Sequence, residues 1–391
     1  SINLDGVFGH LPIVMWTTGG PLHPDDLDAL RPGLQRAGLS PLGIDKFPRM
    51  LDYVTPPQYH NAMEPHAVVA EWDGDRLMLD MPNQALAMSC ASYAAYFGIP
   101  AANVTIRSPF LGGGFGSKLG VSEETVAAAI AAMQLERPVR VVMSRQQVFQ
   151  CIMRRSETTQ RLRLCTDANG TLTGFGHEAL VSNLPGEEFA EPVLQSSHFL
   201  YGGENRELML KVARIHRMTA GSVRAPGEAV GMPALEAAMD VLAEEVGIDP
   251  VELRLKNIPE KNPEEGLPFS SHKLAECLRQ GAEAFGWDRG PRKPRQTREG
   301  EWWVGTGMAS AARVHNVSEA KARVTLKPDG TALVETDMTD IGTGSYAILT
   351  QIAAEMLGLS RQSLYVKLRK YDMLNGEPSD TGSGDQPGRS V

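Results

Sequence analysis

A glycine-rich loop limits what this chain can fold into more than any other part of its sequence. The loop, Gly112–Lys118, lies between an alternating segment, Asn103–Ser108, and an alanine-rich segment that runs from about Ser122 to Glu136. The alternation predicts a strand, and the alanine-rich segment predicts a helix with Ser122 as its N-cap. Because glycine lets the backbone approach a ligand and a helix N-terminus offers free N–H groups, this connection favours a bound anion.

Strands and helices alternate around the loop, which predicts an α/β fold of mixed α+β character. The predicted elements nearest to it are the strands Ala67–Trp72, Arg76–Met81 and Val139–Met143 and the helix Ala85–Phe97. A similar order recurs near the end of the sequence, where a hairpin leads through Gly342–Gly344 into a helix. We therefore expect two related α/β modules with mixed sheets.

Further elements are predicted from periodicity and from turn residues. They are the strands Thr159–Asp167, Thr171–Ser182, Ala320–Leu326, Ala332–Thr336 and Ser363–Leu368, a helix ending at Val246, the helices Val251–Asn257, Ser271–Phe285 and Ser345–Leu357, and a short helical pattern at Asp25–Ala37. The stretch between Ser182 and Ser222 is predicted to be irregular.

The bulk composition bears on partners and compartment. A net charge of -9 without a basic stripe argues against a general nucleic-acid binder. No apolar run reaches the ~20 residues that a membrane-spanning helix needs. The N-terminus has no initiator Met and no signal-peptide pattern, so we expect a processed or truncated end. Cytoplasm is favoured over periplasm.

The cysteines do not form a metal-binding pattern. Cys90, Cys151, Cys165 and Cys277 are scattered, and the sequence contains no CxxC pair. This spacing argues against an iron–sulfur or zinc site built from this chain. We expect the four residues to be buried free thiols.

Two common phosphate-binding motifs fail at the glycine loop. A dinucleotide fingerprint needs a third glycine where this chain has Ser117, and an acidic residue where the next strand ends at Met143-Ser144-Arg145. A Walker A loop needs Ser or Thr after the lysine, and Leu119 stands there. A tight structural turn stays open as the alternative for this loop taken alone.

Two other segments carry groups suited to a site. Arg224 precedes Pro226 at the start of a long predicted helix and suits bidentate contact with a carboxylate, carbonyl or phosphate. The alternative is an ion pair with Glu228 or another loop carboxylate. The segment 58–66 holds two histidines and Glu64, but its spacing fits no zinc motif, so a hydrogen-bonded structural turn is preferred there.

Taken together, these segments resemble one family. Pro56–His66, Gly112–Lys118, Arg224–Ala229 and Asp337–Gly344 occur in this order in the large subunits of molybdenum hydroxylases. The chain is most similar to bacterial aldehyde oxidoreductases of the xanthine dehydrogenase and aldehyde oxidase family, over roughly residues 52–380.

The resemblance implies roles for particular residues. Gly113, Gly114, Phe115 and Gly116 would pass beside the molybdenum centre and its pterin. Gln84 matches a glutamine that hydrogen-bonds an oxo ligand, Arg224 matches a substrate-side arginine, and Gly342, Thr343 and Gly344 match a loop that binds the pterin dinucleotide. Gln84 and Arg224 are thus the implied catalytic residues. The pterin dithiolene would hold the metal, so no protein ligand to molybdenum is expected.

The resemblance also implies a chemistry and partners. Aldehydes would be oxidised to carboxylic acids with water as the oxygen source and hydride transfer to a Mo=S group. The cofactor would be molybdopterin, as its cytosine dinucleotide, carrying molybdenum. Electron transfer would continue through [2Fe-2S] clusters and FAD on two partner subunits, in a heterotrimer.

The sequence departs from the family pattern in two places. Leu119 stands where xanthine-specific relatives have a glutamate, which favours aldehydes over purines; Leu119, Arg224 and Pro226 would line the substrate pocket. The family's base is a glutamate that would lie downstream of Val391, so we expect that this chain alone would not turn over. The alternatives are a non-catalytic cofactor-binding scaffold, a hydroxylase of N-heteroaromatic compounds, and a flavin- or nucleotide-binding oxidoreductase.

The predicted domain organisation follows from the same comparison. Residues 1–51 are predicted to be an irregular N-terminal arm, 52–295 a first molybdopterin-binding domain, and 296–391 part of a second one.

Overall fold

The computed structural model describes residues 51–287, 297–313, 319–327 and 332–356. Its strands are β1 (Leu51–Thr55), β2 (Ala67–Asp73), β3 (Arg76–Asp80), β4 (Val104–Arg107), β5 (Val139–Val142), β6 (Thr158–Thr166), β7 (Leu172–Asn183), β8 (Asn205–Arg214), β9 (Thr297–Glu299), β10 (Trp302–Val304), β11 (Ala322–Leu326) and β12 (Ala332–Thr336). Its α-helices are α1 (Leu86–Phe97), α2 (Glu123–Leu135), α3 (Arg145–Cys151), α4 (Glu228–Val246), α5 (Pro250–Asn257), α6 (Leu274–Phe285) and α7 (Ser345–Met356).

The chain divides into two compact units, each of which draws on two separate stretches of sequence. The first unit contains the described residues 51–58, 154–287 and 297–313, and the second contains 59–153, 319–327 and 332–356. The predicted domain boundaries stay a prediction.

The first unit is built on a mixed sheet with the strand order β1-β6-β7-β8. β6 pairs antiparallel with β1 and β7, whereas β8 runs parallel to β7. The long helix α4 covers this sheet, and its Leu235 and Met239 pack in one core with Leu162 of β6 and Phe175 of β7. α4 ends at Gly247, whose left-handed backbone makes it a normal C-terminal residue for a helix.

The second unit contains another mixed sheet, with the strand order β4-β3-β2-β5. β3 and β4 run parallel and the other pairs are antiparallel. A parallel pair needs a crossover connection, and α1 supplies it between β3 and β4. Leu79 of β3, Ile106 of β4 and Ala129 of α2 meet in the core of this unit. The sheet therefore places the end of β4, where the glycine loop starts, beside the N-terminus of α1.

The mixed sheets confirm the predicted α/β class, and most predicted elements form within one or two residues of their expected bounds. The prediction of an irregular stretch before Ser222 is wrong over β8. The elements β1, β9, β10 and α3 were not predicted. β1 and β8 are edge strands, and β8 carries charged residues that hide its pattern. The helical pattern Asp25–Ala37 and the strand Ser363–Leu368 lie outside the described residues.

The prediction of four buried thiols is partly wrong. Cys90 is buried and Cys165 is half-buried, whereas Cys151 and Cys277 are exposed. Cys151 is the last residue of α3, and Cys277 lies on the polar side of α6, so neither is covered by a core. Among the described helices, we find none that is long and apolar enough to cross a membrane.

A buried histidine makes the stability of the first unit depend on pH. His177 is 1% exposed, its Nδ1 lies 2.8 Å from Ser197 Oγ, and its Nε2 lies 3.1 Å from Gln160 Oε1. The Gln160 oxygen is an acceptor, so Nε2 carries the proton and Nδ1 accepts from the Ser197 hydroxyl. Burial, with a smaller contribution from the charge of His198, lowers the pKa of His177 to about 4.

We expect this histidine to destabilise the fold on acidification. Because the folded pKa lies below the ordinary value of 6.5, the unfolded chain binds the proton more readily, and stability is lost as pH falls from 6.5 through about 4. The loss attributable to His177 is about 3 kcal/mol at pH 4. Urea denaturation of the protein and of a His177→Gln variant at pH 7 and pH 4 measures it. An equal pH dependence in the two proteins would contradict this prediction.

Candidate functional site

The glycine loop of the second unit connects β4 to α2, as predicted. Its backbone takes left-handed values at Gly113 (φ 90°), Phe115 (φ 55°) and Gly116 (φ 109°). The value at Phe115 is uncommon for a residue with a side chain, and Phe115 is 40% exposed. The loop thus holds an aromatic ring at the surface on a backbone that other contacts must fix.

Gln84 fixes the second half of the loop. Its side-chain oxygen Oε1 accepts hydrogen bonds from the backbone N–H groups of Gly116 (3.0 Å) and Lys118 (3.2 Å). Its own backbone N–H donates to the Lys118 carbonyl (2.9 Å). Since the oxygen is engaged by two donors, the Nε2 amide is the free end of the side chain, and it makes no hydrogen bond within the described residues. Gln84 therefore presents an N–H donor beside the loop.

Gly114 is required for this contact. A Cβ atom built at Gly114 would lie 2.2 Å from Gln84 Oε1 and 2.6 Å from its Cδ. Real Cβ atoms do not come this close, so any other residue at this position would displace the glutamine. The glycines thus serve the close approach of Gln84 as well as the backbone turn.

An ion pair between the buried Lys118 side chain and the partly exposed Glu64 carboxylate holds both ends of the loop. The side chain of Lys118 is 1% exposed, and its ammonium donates to the Glu64 carboxylate (2.7 Å) and to the Glu64 carbonyl (3.1 Å). The same carboxylate oxygen accepts the Gly112 N–H at 2.8 Å. Burial lowers the pKa of Lys118, and the hydrogen bond that Lys118 donates to Glu64 opposes that effect. The two ends of the loop are therefore bound to one carboxylate.

The ring of His66 forms a hydrogen bond with the loop at Ser117. It is 3% exposed, and its Nε2 lies 3.1 Å from the Ser117 carbonyl. Because a carbonyl only accepts, Nε2 carries the proton. Burial lowers the pKa of His66, which favours this neutral form.

The second predicted loop, Gly342–Gly344, is exposed and leads into α7. The Asp340 carboxylate accepts the backbone N–H groups of Gly342 (2.8 Å), Gly344 (3.3 Å) and Tyr346 (3.4 Å). These hydrogen bonds lower the pKa of Asp340. Because a carboxylate already accepts these N–H groups, they are not available for a phosphate in this arrangement. The Thr343 hydroxyl, 2.8 Å from Ser345 Oγ, is exposed.

Arg224 lies in the first unit, in the loop that precedes α4, and is exposed. Glu228, the first residue of α4, is 7% exposed, and the alternative of an ion pair between Arg224 and this or another loop carboxylate stays a prediction. Arg155 donates hydrogen bonds to the backbone carbonyls of Val223 and Arg224 in this loop. Pro226 in the same loop is half-buried, as is Leu119 in the second unit.

The structure brings Gln84 and the glycine loop together, which the sequence pattern alone did not indicate. Gly342–Gly344 makes its hydrogen bonds with Asp340, and Arg224 is described with the other unit. The segment 58–66 was predicted as a structural turn, but Glu64 and His66 in it bind the glycine loop directly. Their signal in the sequence was three polar residues clustered before a strand. The helix α3 was missed although Ser144 and Gln147 form a capping box.

Comparison with known proteins shows which family this chain belongs to. The profile of the molybdopterin cofactor-binding domain matches residues 47–258, and a second profile of that description matches residues 280–384. A profile for the middle part of tetrahydrodipicolinate N-succinyltransferase matches residues 11–49, which lie outside the described residues.

Curated relatives include molybdenum-binding subunits of an aldehyde oxidoreductase and of a xanthine dehydrogenase. The aldehyde oxidoreductase molybdenum-binding subunit PaoC of Escherichia coli K12 is 44% identical over 340 residues, covering 87% of this chain and 46% of that protein. The xanthine dehydrogenase molybdenum-binding subunit of Escherichia coli O157:H7 is 31% identical over 273 residues, covering 67% of this chain and 36% of that protein. This chain therefore spans about half the length of PaoC.

Solved structures share the fold. The aldehyde oxidoreductase from Desulfovibrio gigas matches with a TM-score of 0.73 and 23% identity, over 84% of this chain and 38% of that one. Quinoline 2-oxidoreductase from Pseudomonas putida 86 matches with a TM-score of 0.68 and 20% identity, over 84% of this chain and 45% of that one.

Proposed function

Because this chain belongs to the molybdopterin cofactor-binding domain family, we propose that it is part of the molybdenum-binding subunit of an aldehyde-oxidising hydroxylase. The observation that carries the proposal is the contact between Gln84 and the glycine loop. It leaves the side-chain amide NH2 group, on a fixed side chain, beside a loop whose backbone can be approached closely.

The residues present fit the cofactor that the family implies. An oxo group on a metal is a hydrogen-bond acceptor, and the Gln84 Nε2 group is a donor without a partner among the described residues. When bound, the cofactor would supply the two-electron oxidation of the substrate. Gln84 would orient it through the amide, while Gly113, Gly114, Phe115 and Gly116 would contact it along the loop.

We propose that the cofactor is the cytosine dinucleotide form of molybdopterin. Its dinucleotide end is assigned to Gly342, Thr343 and Gly344. Asp340 holds the backbone N–H groups of this loop, so the proposed contact is a close approach of the glycines together with the exposed Thr343 hydroxyl. This differs from a phosphate held by loop amides.

The substrate side is assigned to Arg224, Pro226 and Leu119. Arg224 is exposed, and its guanidinium suits an aldehyde carbonyl or a carboxylate product. Leu119 is apolar and half-buried, so it offers no hydrogen-bond acceptor to the N–H groups of a purine. This combination favours aldehydes.

The partners are part of the same proposal. We propose that [2Fe-2S] clusters and FAD are carried by two partner subunits in a heterotrimer, an arrangement that the scattered cysteines of this sequence fit. For the compartment we propose the cytoplasm, with the periplasm as the alternative.

Oxidation of an aromatic aldehyde by the full-length protein with its partner subunits tests the proposal. Protein from cells grown on molybdate is expected to reduce an artificial electron acceptor with benzaldehyde, and protein from cells grown on tungstate to be slower by about tenfold or more. A kcat/KM that is about tenfold higher for quinoline than for benzaldehyde would favour the N-heteroaromatic alternative. Equal rates after growth on either metal salt would contradict a molybdenum enzyme.

A further inference from the structure

The loop that carries Arg224 has a backbone that requires support. Ala225 has a φ of 52° and Gly227 a φ of 83°, both in the left-handed region. A Cβ built at Gly227 would lie 2.1 Å from the Pro192 carbonyl oxygen, so the loop is also pressed against neighbouring backbone. A loop of this shape is retained only where surrounding groups over-determine it.

Arg155 supplies one half of that support. Its side chain is 2% exposed. One guanidinium nitrogen, Nη2, donates to the carbonyls of Val223 (2.8 Å) and Arg224 (2.5 Å), with Ala225 at 3.4 Å. The other, Nη1, donates to Gln58 Oε1 at 2.8 Å. Successive carbonyls are thus turned toward one buried cation, on the inner side of the loop.

Glu191 supplies the other half. Its side chain is fully buried, and Oε1 accepts the Gly227 N–H at 2.7 Å. The same oxygen lies 3.3 Å from Arg155 Nε. The carbonyls at the start of the loop and the amide at its end are therefore held by one ion pair.

Buried carboxylates near this ion pair make the loss of the Arg155 charge unfavourable. Glu228, 7% exposed, follows the loop directly, and its two carboxylate oxygens accept no hydrogen bond. Arg313 Nε lies 3.9 Å from one of them and is largely exposed. The charge of Arg155 acts on both Glu191 and Glu228. Removing it would leave the buried Glu191 carboxylate without its ion-pair partner.

We propose that Arg155 and Glu191 are positioning residues that set the direction in which Arg224 presents its guanidinium to the substrate. This inference rests on the proposed function, in which Arg224 contacts the substrate, and it assigns a role to two residues that never reach the substrate themselves. Lysine at position 155 would keep the charge but could not make the forked set of contacts.

A double-mutant cycle in the full-length enzyme with its partners tests the proposal. Arg155→Lys is expected to raise KM for benzaldehyde by about tenfold with kcat changed by less than about threefold. In an Arg224→Ala background the same change is expected to add less than about twofold, because its effect passes through Arg224. A full effect of Arg155→Lys in that background would overturn the proposal.

Arg154→Lys is the matched control. Arg154 is equally buried, but its guanidinium donates to Glu157 (2.7 Å) and Ser182 (3.0 Å). Its KM effect is expected to be less than about twofold. An Arg154→Lys variant that raised KM as much as Arg155→Lys would reduce the role of Arg155 to general stability and overturn the proposal.

Hydrogen exchange separates this inference from the proposed function. The Gly227 amide is expected to exchange about tenfold faster in Arg155→Lys and unchanged in Arg154→Lys. If the unmodified enzyme oxidises no aldehyde, the proposed function fails, and this measurement still decides whether Arg155 holds the loop. Unchanged exchange at Gly227 in Arg155→Lys would overturn it.

Discussion

Replacing Gly114 with alanine is expected to empty the cofactor site while leaving the protein folded. The added Cβ would lie 2.2 Å from Gln84 Oε1, so the glutamine must move and release the N–H groups of Gly116 and Lys118. A loss of about 1.4 kcal/mol in binding free energy weakens cofactor binding about tenfold. Here the Gln84 amide and the loop backbone that it holds would both move. The molybdenum content of purified full-length protein, measured by plasma mass spectrometry, is expected to fall by about tenfold or more.

Gly281→Ala is the matched control for this change. Gly281 lies within α6, and a Cβ built there would meet nothing within 4 Å. Alanine inside a helix stabilises by about 1 kcal/mol relative to glycine, so this variant should retain its molybdenum. If Gly114→Ala kept as much molybdenum as Gly281→Ala, the packing of Gln84 against the loop would not matter for cofactor binding.

The second large effect is expected at Glu64. Replacing Glu64 with alanine leaves the Lys118 ammonium, 1% exposed, without its carboxylate and frees the Gly112 N–H. An unpaired buried charge costs about 3 kcal/mol or more, so we expect the free energy of unfolding to fall by about that amount. Urea denaturation at pH 7 measures it.

The partner variant distinguishes a buried charge from a loss of packing. Lys118→Met removes the charge and leaves Glu64, whose side chain is 36% exposed, in contact with water. The single change Lys118→Met should therefore cost less than Glu64→Ala, and the double variant should recover about 1 kcal/mol or more relative to Glu64→Ala. A double variant less stable than both single variants would show that charge burial is not the cause.

Local features of this fold could be predicted from the sequence. The glycine loop, the strand before it and the helix after it are neighbours in the chain, so their periodicity and turn residues were enough. The pairing of Lys118 with Glu64 joins residues that are 54 positions apart, and nothing in either segment names the other. The same holds for Arg155 and the carbonyl of Arg224, which are 69 positions apart.

The resemblance supplied what periodicity could not. It indicated that Gln84 belongs with the glycine loop, and the structure shows the two hydrogen bonds that join them. The edge strand β8 escaped prediction because its charged residues interrupt the alternation that marks a strand. The role of Asp340 could not be predicted from the sequence, because its carboxylate accepts the amides of Gly342 and Gly344 only in the folded turn.

The most direct test of a molybdenum–pterin site on this fold is the metal and pterin content of the unmodified full-length protein. Plasma mass spectrometry for molybdenum, with fluorescence of the oxidised pterin, gives both quantities per chain. The structure and its family lead us to expect about one molybdenum and one pterin per chain, bound with the affinity of a resident cofactor. Protein that folds normally, is made in molybdate-supplied cells and carries neither would contradict the assignment of Gln84 and the glycine loop to a cofactor.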